Sequence, residues 1–415
     1  MTKAPGSFAP GNRFDKHPWL TGVVIALVLV FIADLSIGTF SYRSSRAKLR
    51  RGLAYELTYR RRDSLYHHDF VPLKRVDSAI WGGVFYRVRT NSLGAKDAEP
   101  RILAEASDKP RVVIMGDSFS EGIGVEFEST FVGRLAARAR PAGVEILNAA
   151  VASYSPVVYR RKMQDMLERR TLRVDEVIVF LDISDIQDET FYYLDKQDHV
   201  QRRDSAWNAY FQLPDDGTGS GPPLMRLKRL WGKHSFAVVR ALGVLRRWKP
   251  SWPASGPTCA PPVPVGNLIC RGGWTSSHAI MDAYGNAGLA LAKTHMTELA
   301  TLLKQRGIPM TVVVYPWSYQ LAWNDRHSLQ STVWSNWARE QQVDFVDLFP
   351  AFFAQVDSTS LGSVTSRFDL PGDIHWSAGG HAFVEQQLVH SYCGMHARPE
   401  SGRPPLATAI CDAAP

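Results

Sequence analysis

The chain reads as an α/β protein built on a central parallel sheet, with one apolar helix ahead of it that is long enough to cross a membrane. Two observations predict this. From Arg111 onward, short β-branched apolar runs alternate with longer amphipathic stretches, the rhythm of βαβ units whose strands are covered on both faces. Upstream, Trp19 to Phe40 spans 22 residues with a single ionisable side chain, Asp34, and contains the unbroken apolar run Val23 to Ala33. A helix of that length crosses about 30 Å of hydrocarbon.

Taken in order, the runs that predict strands are Val112 to Met115, Val144 to Leu147, Val177 to Leu181, Met310 to Tyr315 and Val343 to Val346. Helical periodicity fills the intervals at Phe127 to Arg138, Val157 to Arg170, Ala287 to Arg306, Ser328 to Glu340 and Ala382 to Val389. An insertion at roughly 190–284 carries Trp207, Trp231, Trp252 and Trp274 and the Pro-rich loop 250–264, and is expected to form a lid or side wall. The expected organisation is a cytoplasmic stretch 1–18, a transmembrane helix 19–40, a basic juxtamembrane linker and lead-in segment 41–110, a folded domain 111–392, and a C-terminal tail 393–415.

Composition narrows the class. The chain has 415 residues, 45% of them hydrophobic and 21% charged, which excludes a disordered tail, a collagen-like fibre and a disulfide-stapled miniprotein. The net charge of +8 is concentrated between Arg43 and Arg62, where eight basic residues face Glu56 alone. The large domain is therefore nearly neutral, and no basic stripe interleaved with stacking aromatics points to nucleic acid. The basic stretch predicts contact with anionic headgroups, each charge contributing about 1 kcal/mol near a charged surface.

Read as an anchor rather than a cleaved signal or a buried core helix, the apolar span places the domain on the periplasmic side of a bacterial inner membrane. Charge taken alone slightly favours the opposite orientation, since Lys3, Arg13 and Lys16 precede the span and five basic residues from Arg43 to Arg51 follow it. The cysteines argue for export. There are four, all in loops or the tail and none in a Cys-x-x-Cys metal or redox spacing. Of the three possible pairings, Cys259 with Cys270 and Cys393 with Cys411 is favoured.

Two short segments carry chemistry. Gly116-Asp117-Ser118 follows the first expected strand, where a sheet of this kind places ligands and glycine permits a turn that exposes a hydroxyl. Asp373-Ile374-His375-Trp376 precedes the last expected helix, and a carboxylate two residues before an imidazole can fix its tautomer so that the other ring nitrogen accepts a proton from serine. The alternative is a capped turn and an ordinary loop histidine. His278, His295, His327 and His381 lack the paired spacing of a zinc site, and neither a Walker A nor a Gly-x-Gly-x-x-Gly pattern is present, so no metal, nucleotide or other cofactor is expected.

The ordered set Gly116-Asp117-Ser118, Asn148 to Pro156, Asp182-Ile183-Ser184-Asp185 and Asp373-Ile374-His375 resembles the GDSL/SGNH hydrolase superfamily. The resemblance covers about Val112 to Val389, and Thr90 to Gly94 resembles a lead-in segment of membrane-anchored members. It implies a flavodoxin-like three-layer α/β/α fold and an acyl-enzyme mechanism, with Ser118 as nucleophile, His375 as base and acid, and Asp373 as its orienter. It also implies an oxyanion hole from Ser118, Ser153 and Ser184. Asp117, Asp185, Trp317 and Trp376 are candidates for the substrate cleft.

Three departures from the family pattern stand out. Ser153 occupies the place of an oxyanion glycine, Ser184-Asp185 replaces Asn-Asp, and the acid stands two rather than three residues before the histidine. The Asp-x-His-Trp block is similar to that of alginate O-acetyltransferase-like proteins. Hydrolysis of O-acyl esters on carbohydrate is the leading expectation. The alternatives are O-acetyl transfer to a cell-surface polysaccharide, fed by a membrane acyl-donor protein, and a non-catalytic carbohydrate-binding scaffold.

Overall fold

The computed structural model describes residues 18–81, 83–203, a few positions between 231 and 240, 268–397 and 403–411. The stretch 1–17, Trp207, Trp252 and Cys259 lie outside the described residues. The chain divides into two compact units, one formed by residues 1–51 with 213–251, the other by 52–212 with 252–415.

In the first unit the helix α1 (Pro18–Tyr59) begins, and its segment Pro18–Ser44 is long and apolar enough to span a membrane. Part of the insertion, 213–251, belongs to this unit. Thr39 Oγ1 lies 3.1 Å from His234 Nδ1, and the Ala237 N–H donates to Asp34 Oδ1 at 2.7 Å.

The second unit holds a five-stranded parallel sheet made of β5 (Arg111–Met115), β6 (Glu145–Asn148), β7 (Glu176–Leu181), β10 (Met310–Val314) and β11 (Asp344–Asp347). Its order is β6-β5-β7-β10-β11, which in chain order is the 2-1-3-4-5 arrangement of flavodoxin-like folds. Every pairing is parallel. The strand interiors are largely apolar because helices cover both faces: α4 (Pro156–Gln164), α5 (Asp185–Phe191) and the helix Asn286–Lys304 on one side, α3 (Phe131–Ala139) and the helix Ala378–Met395 on the other. The chain reverses its winding between β5 and β7, and a sheet of this order binds ligands at the carboxyl ends beside that point.

Two expectations about organisation need correction. The lead-in segment is not a linker, since residues from 52 onward pack into the large unit and bring Tyr59, Phe70, Tyr86 and Val88 into its core. It forms two antiparallel hairpins, β1 (Arg60–Asp63) with β2 (His67–Phe70) and β3 (Arg75–Trp81) with β4 (Val84–Arg89). Arg60, counted above with the juxtamembrane charge, is 3% exposed and ion-paired with Glu56 and Glu121 at 2.7 and 2.6 Å. The C-terminal stretch is not a free tail either. Its helix Pro405–Ile410 buries Leu406 and Ile410, and a disulfide joins Cys393 to Cys411. Cys270 is also disulfide-bonded.

Candidate active site

The turn after β5 delivers Ser118. Gly116 is required there because a Cβ would come within 2.4 Å of Ser120 Oγ. Asp117 caps the short helix α2 (Ser118–Glu121), its Oδ1 accepting from the Phe119 N–H at 3.0 Å, and Gly122 closes the helix with a left-handed φ of 73°. Ser118 therefore stands half-buried at the carboxyl edge of the switch-point strand.

The loop before the last long helix brings the other two residues to it. His375 Nε2 lies 2.9 Å from Ser118 Oγ, and His375 Nδ1 lies 2.6 Å from Asp373 Oδ1. Residues 257 positions apart in sequence thus stand in a hydrogen-bonded series. Burial alone would raise the Asp373 carboxyl, but the His375 ring and the backbone N–H groups of Ile374 and His375 hold it down to about 2. An ionised carboxylate on Nδ1 directs the free electron pair of the neutral ring, on Nε2, toward the serine hydroxyl.

A fourth side chain completes the series, and nothing in sequence spacing signals it. Trp81, at the end of β3, donates its indole N–H to Asp373 Oδ2 at 2.9 Å, across 292 residues. The same ring meets His375 edge-on at a centroid distance of 5.5 Å. Both oxygens of Asp373 are thereby fixed, one by the histidine and one by the lead-in hairpin.

Ser153, where a glycine was expected, keeps a glycine-like backbone with φ of 60°. The surroundings impose it. Tyr192 donates its hydroxyl to Ser153 O at 2.9 Å, Glu121 accepts from Ala152 N at 2.8 Å, and His68 Nε2 lies 2.8 Å from Ala152 O. Burial first, then the adjacent His67, holds His68 well below the ordinary histidine value, so its ring is neutral and Nε2–H is the donor. In a trans peptide N–H and C=O point in opposite directions, so anchoring the Ala152 carbonyl also fixes the direction of the Ser153 N–H. Among the described residues, the N–H groups of Ser118 and Ser153 donate to no protein acceptor. The Ser184 N–H, in contrast, is already committed to Asp182 Oδ1 at 2.7 Å, which leaves only its hydroxyl for any oxyanion role.

The cleft candidates are corrected by burial. Trp317 and Trp376 are each 2% exposed. Trp317 stacks near Phe119 and donates to Asp182 at 2.5 Å, while Trp376 packs among Phe119, Tyr315 and Phe352, so both rings are core and not sugar-binding walls. Asp117 and Asp185 are likewise buried beneath the site. With Asp182 they bring carboxylate oxygens within 4.8 Å of one another. Burial, then the neighbouring Asp182, raises Asp117; burial, then Asp117, raises Asp185. Donors meet the cluster from several sides: Tyr315 and Trp317 on Asp182, Tyr159 on Asp185 at 2.9 Å. Of the histidines considered above, His381 is buried and held near 3, first by burial and then by Lys96, and His295 pairs with Glu189 at 2.8 Å.

No family model matches the chain, and no curated protein matches it. Among solved structures it is similar to the psychrotrophic esterase EstA from Pseudoalteromonas sp., at 8% identity over 70% of this chain and 100% of that one, with a TM-score of 0.35. It is similar to TesA at 12% identity over 67% and 95%, TM-score 0.34. Axe2, an acetylxylan esterase from Geobacillus stearothermophilus, matches at 11% identity over 69% and 95%, TM-score 0.35. At these values the chemistry rests on the chain's own geometry.

Proposed function

We propose that the large unit is a serine esterase that hydrolyses O-acyl, chiefly O-acetyl, esters of carbohydrate through an acyl-enzyme. The observation carrying this reading is the series Ser118–His375–Asp373–Trp81 at the switch point, beside two uncommitted backbone N–H groups. Ser118 Oγ attacks the ester carbonyl as its proton passes to His375 Nε2, while Asp373 steadies the imidazolium that forms. The carbonyl oxygen becomes an oxyanion and accepts from the N–H groups of Ser118 and Ser153. Collapse breaks the C–O bond, and His375 returns the proton to the departing sugar alcohol. Water, deprotonated by His375, then attacks the acyl-Ser118 ester and frees the acid.

A sugar hydroxyl attacking the acyl-Ser118 ester in place of that water would make the protein a transferase, and the apolar helix α1 favours a membrane-anchored setting in which a donor partner supplies the acyl group. The full chain in detergent, given a fluorophosphonate probe, is expected to be labelled at Ser118, and Ser118→Ala to lose both labelling and acetate release. Acetate release from an acetyl ester with no sugar acceptor supports the esterase. Acetylated oligosaccharide formed instead supports the transferase, and undiminished turnover in Ser118→Ala overturns both, as it would if the protein were a carbohydrate-binding scaffold.

A further inference from the structure

The insertion returns to the apolar helix. Residues 213–251 share a compact unit with residues 1–51, so the chain leaves the large unit at 212, joins the unit that holds the start of α1, and re-enters the large unit at 252. The contact lies along one face of α1. The Ala237 N–H donates to Asp34 Oδ1 at 2.7 Å, Thr39 Oγ1 lies 3.1 Å from His234 Nδ1, and the ring centroids of Tyr42 and His234 stand 4.9 Å apart. Gly38, buried on the same face, makes the approach possible, since a Cβ there would meet the His234 carbonyl oxygen at 1.8 Å. Asp34 is the single ionisable side chain between Trp19 and Phe40, and an acid inside hydrocarbon needs a partner. The returning segment supplies one.

Depth follows from the helix rise. Asp34 stands six residues before Phe40, where the apolar span ends, or about 9 Å along the axis. Helices that lie in a bilayer surface bury their apolar side about 5–10 Å deep. At this level the segment presents rings: Trp231 is 51% and Phe236 37% exposed, and the Arg240 guanidinium lies 5.4 Å from the Phe236 ring centroid, on a long stem that carries its charge outward. Composition points the same way. Leu224 to Lys249 holds eight Lys or Arg and no Asp or Glu, and the unit as a whole holds 16 basic residues against 4 acidic, an excess larger than the net +8 of the entire chain. The rest of the chain is therefore net acidic, and the positive charge belongs to the part that carries the span. We propose that the segment around Trp231, His234 and Phe236 is a second membrane contact, docked on α1 at Asp34 and Gly38, with its exposed rings in the headgroup region and its basic residues on anionic phospholipid. An indole beside a guanidinium suits the boundary between acyl chains and phosphates, whereas a soluble partner would have to reach below the end of the span to meet the same residues. The inference rests on α1 crossing a membrane and is independent of the chemistry at Ser118.

The test uses the full chain in vesicles of mixed phosphatidylglycerol and phosphatidylcholine. Photoreactive benzoylphenylalanine replaces, one at a time, Leu29 in the span, Trp231, Phe236, and Ile102, an 83% exposed residue of the large unit. After irradiation, mass spectrometry is expected to find lipid adducts at Leu29, Trp231 and Phe236, with yields at the last two at least roughly tenfold above that at Ile102. Phosphatidylglycerol should be over-represented at Trp231 by roughly threefold relative to its share of the vesicle. Gly38→Val sets a side chain against the His234 carbonyl and should lower the yield at Phe236 at least roughly threefold while leaving Leu29 unchanged, because close helix contact in a membrane depends on small residues. Adducts at Leu29 with none above the Ile102 level at Trp231 and Phe236 overturn the proposal. So do adducts to a second copy of the chain in place of lipid, and an unchanged Phe236 yield in Gly38→Val overturns the docking on α1. Absence of lipid at Leu29 as well would refute the membrane-spanning reading of α1 and the proposal with it.

Discussion

Replacing Trp81 by Phe removes one hydrogen bond and little else. The ring stays edge-on to His375, but Asp373 Oδ2 loses its 2.9 Å indole donor. A hydrogen bond to a charged acceptor is worth about 1.5–3 kcal/mol. Asp373 keeps donors from Ile374 N at 2.7 Å, His375 N at 3.1 Å and the ring itself at 2.6 Å, all on Oδ1, and at 17% side-chain exposure water can reach the vacated oxygen. The lower end applies, about 1.5 kcal/mol, and kcat/KM for an acetyl ester should fall roughly tenfold, mostly in kcat. The carboxyl, held at about 2, also contributes stability that is present above its unfolded value of about 3.9 and is lost as pH falls through the folded one. In Trp81→Phe the folded value rises, that contribution shrinks, and the acid-unfolding midpoint moves to higher pH. Stopped-flow kinetics and circular dichroism between pH 2 and 6 measure both effects. A Trp81→Phe enzyme within twofold of wild type, with an unchanged acid midpoint, would refute the positioning role.

Three further outcomes follow from the same geometry. Ser153→Gly relieves a left-handed serine at a cost in chain entropy, so stability should change by no more than about 1 kcal/mol and kcat should hold if the backbone N–H is the oxyanion donor; a fall of about 10²–10³ in kcat would assign the donor to the hydroxyl. Arg60→Met leaves Glu56 and Glu121 buried without their cation and should cost about 3–5 kcal/mol in urea unfolding, whereas a loss under about 1 kcal/mol would show the pair to be dispensable. Glu176, 1% exposed, is raised to about 7 by burial despite donors from Tyr392 and the Leu406 N–H. Its folded form binds a proton more tightly than the unfolded chain does, so stability should fall by about 3 kcal/mol as pH rises from about 4.5 to 7 and then level off. The double variant Glu176→Leu with Tyr392→Phe should lose this slope in urea titrations at pH 4.5, 6 and 7.5, and an unchanged slope would count against it.

The five sheet strands are legible because a parallel strand covered on both faces is apolar at successive positions, and short β-branched runs such as Val112 to Met115 alternate with helical periodicity. Helix ends were less so. The helix expected over Val157 to Arg170 breaks into α4 and a wider turn Asp165–Arg169, a change that polar residues on both sides of the boundary do not announce. The hairpins escaped notice for a physical reason. β1 reads Arg-Arg-Arg-Asp, which looks solvated, yet Arg60 is buried, its charge met by Glu56 and by Glu121, 61 residues later. Trp317 stands among the cleft candidates because sequence does not separate a ring that stacks on sugar from one whose N–H satisfies a buried Asp182. Trp81 carried no signal at all.

These misses share one cause, which bears on how the site is assembled. The α/β core supplies the serine, histidine and aspartate, but their orientation is set from outside it. Trp81 on β3 fixes Asp373, His68 on β2 anchors the Ala152 carbonyl, and Arg60 on β1 holds the Glu121 that takes Ala152 N. Tyr192 holds Ser153 O from β8 (Tyr192–Leu194), which forms a hairpin with β9 (Val200–Arg202). Four separate strands of the added hairpins thus converge on the Asp373 carboxylate and on the peptide at 152–153. A glycine at 153 would tolerate its left-handed backbone unaided; a serine there needs those restraints to offset about 1–2 kcal/mol of backbone strain. The serine with a left-handed backbone at 153 and the packing of the hairpins are therefore two sides of one arrangement, in which residues 60–81 and Tyr192 do for the peptide at 152–153 what a glycine backbone would otherwise do by itself.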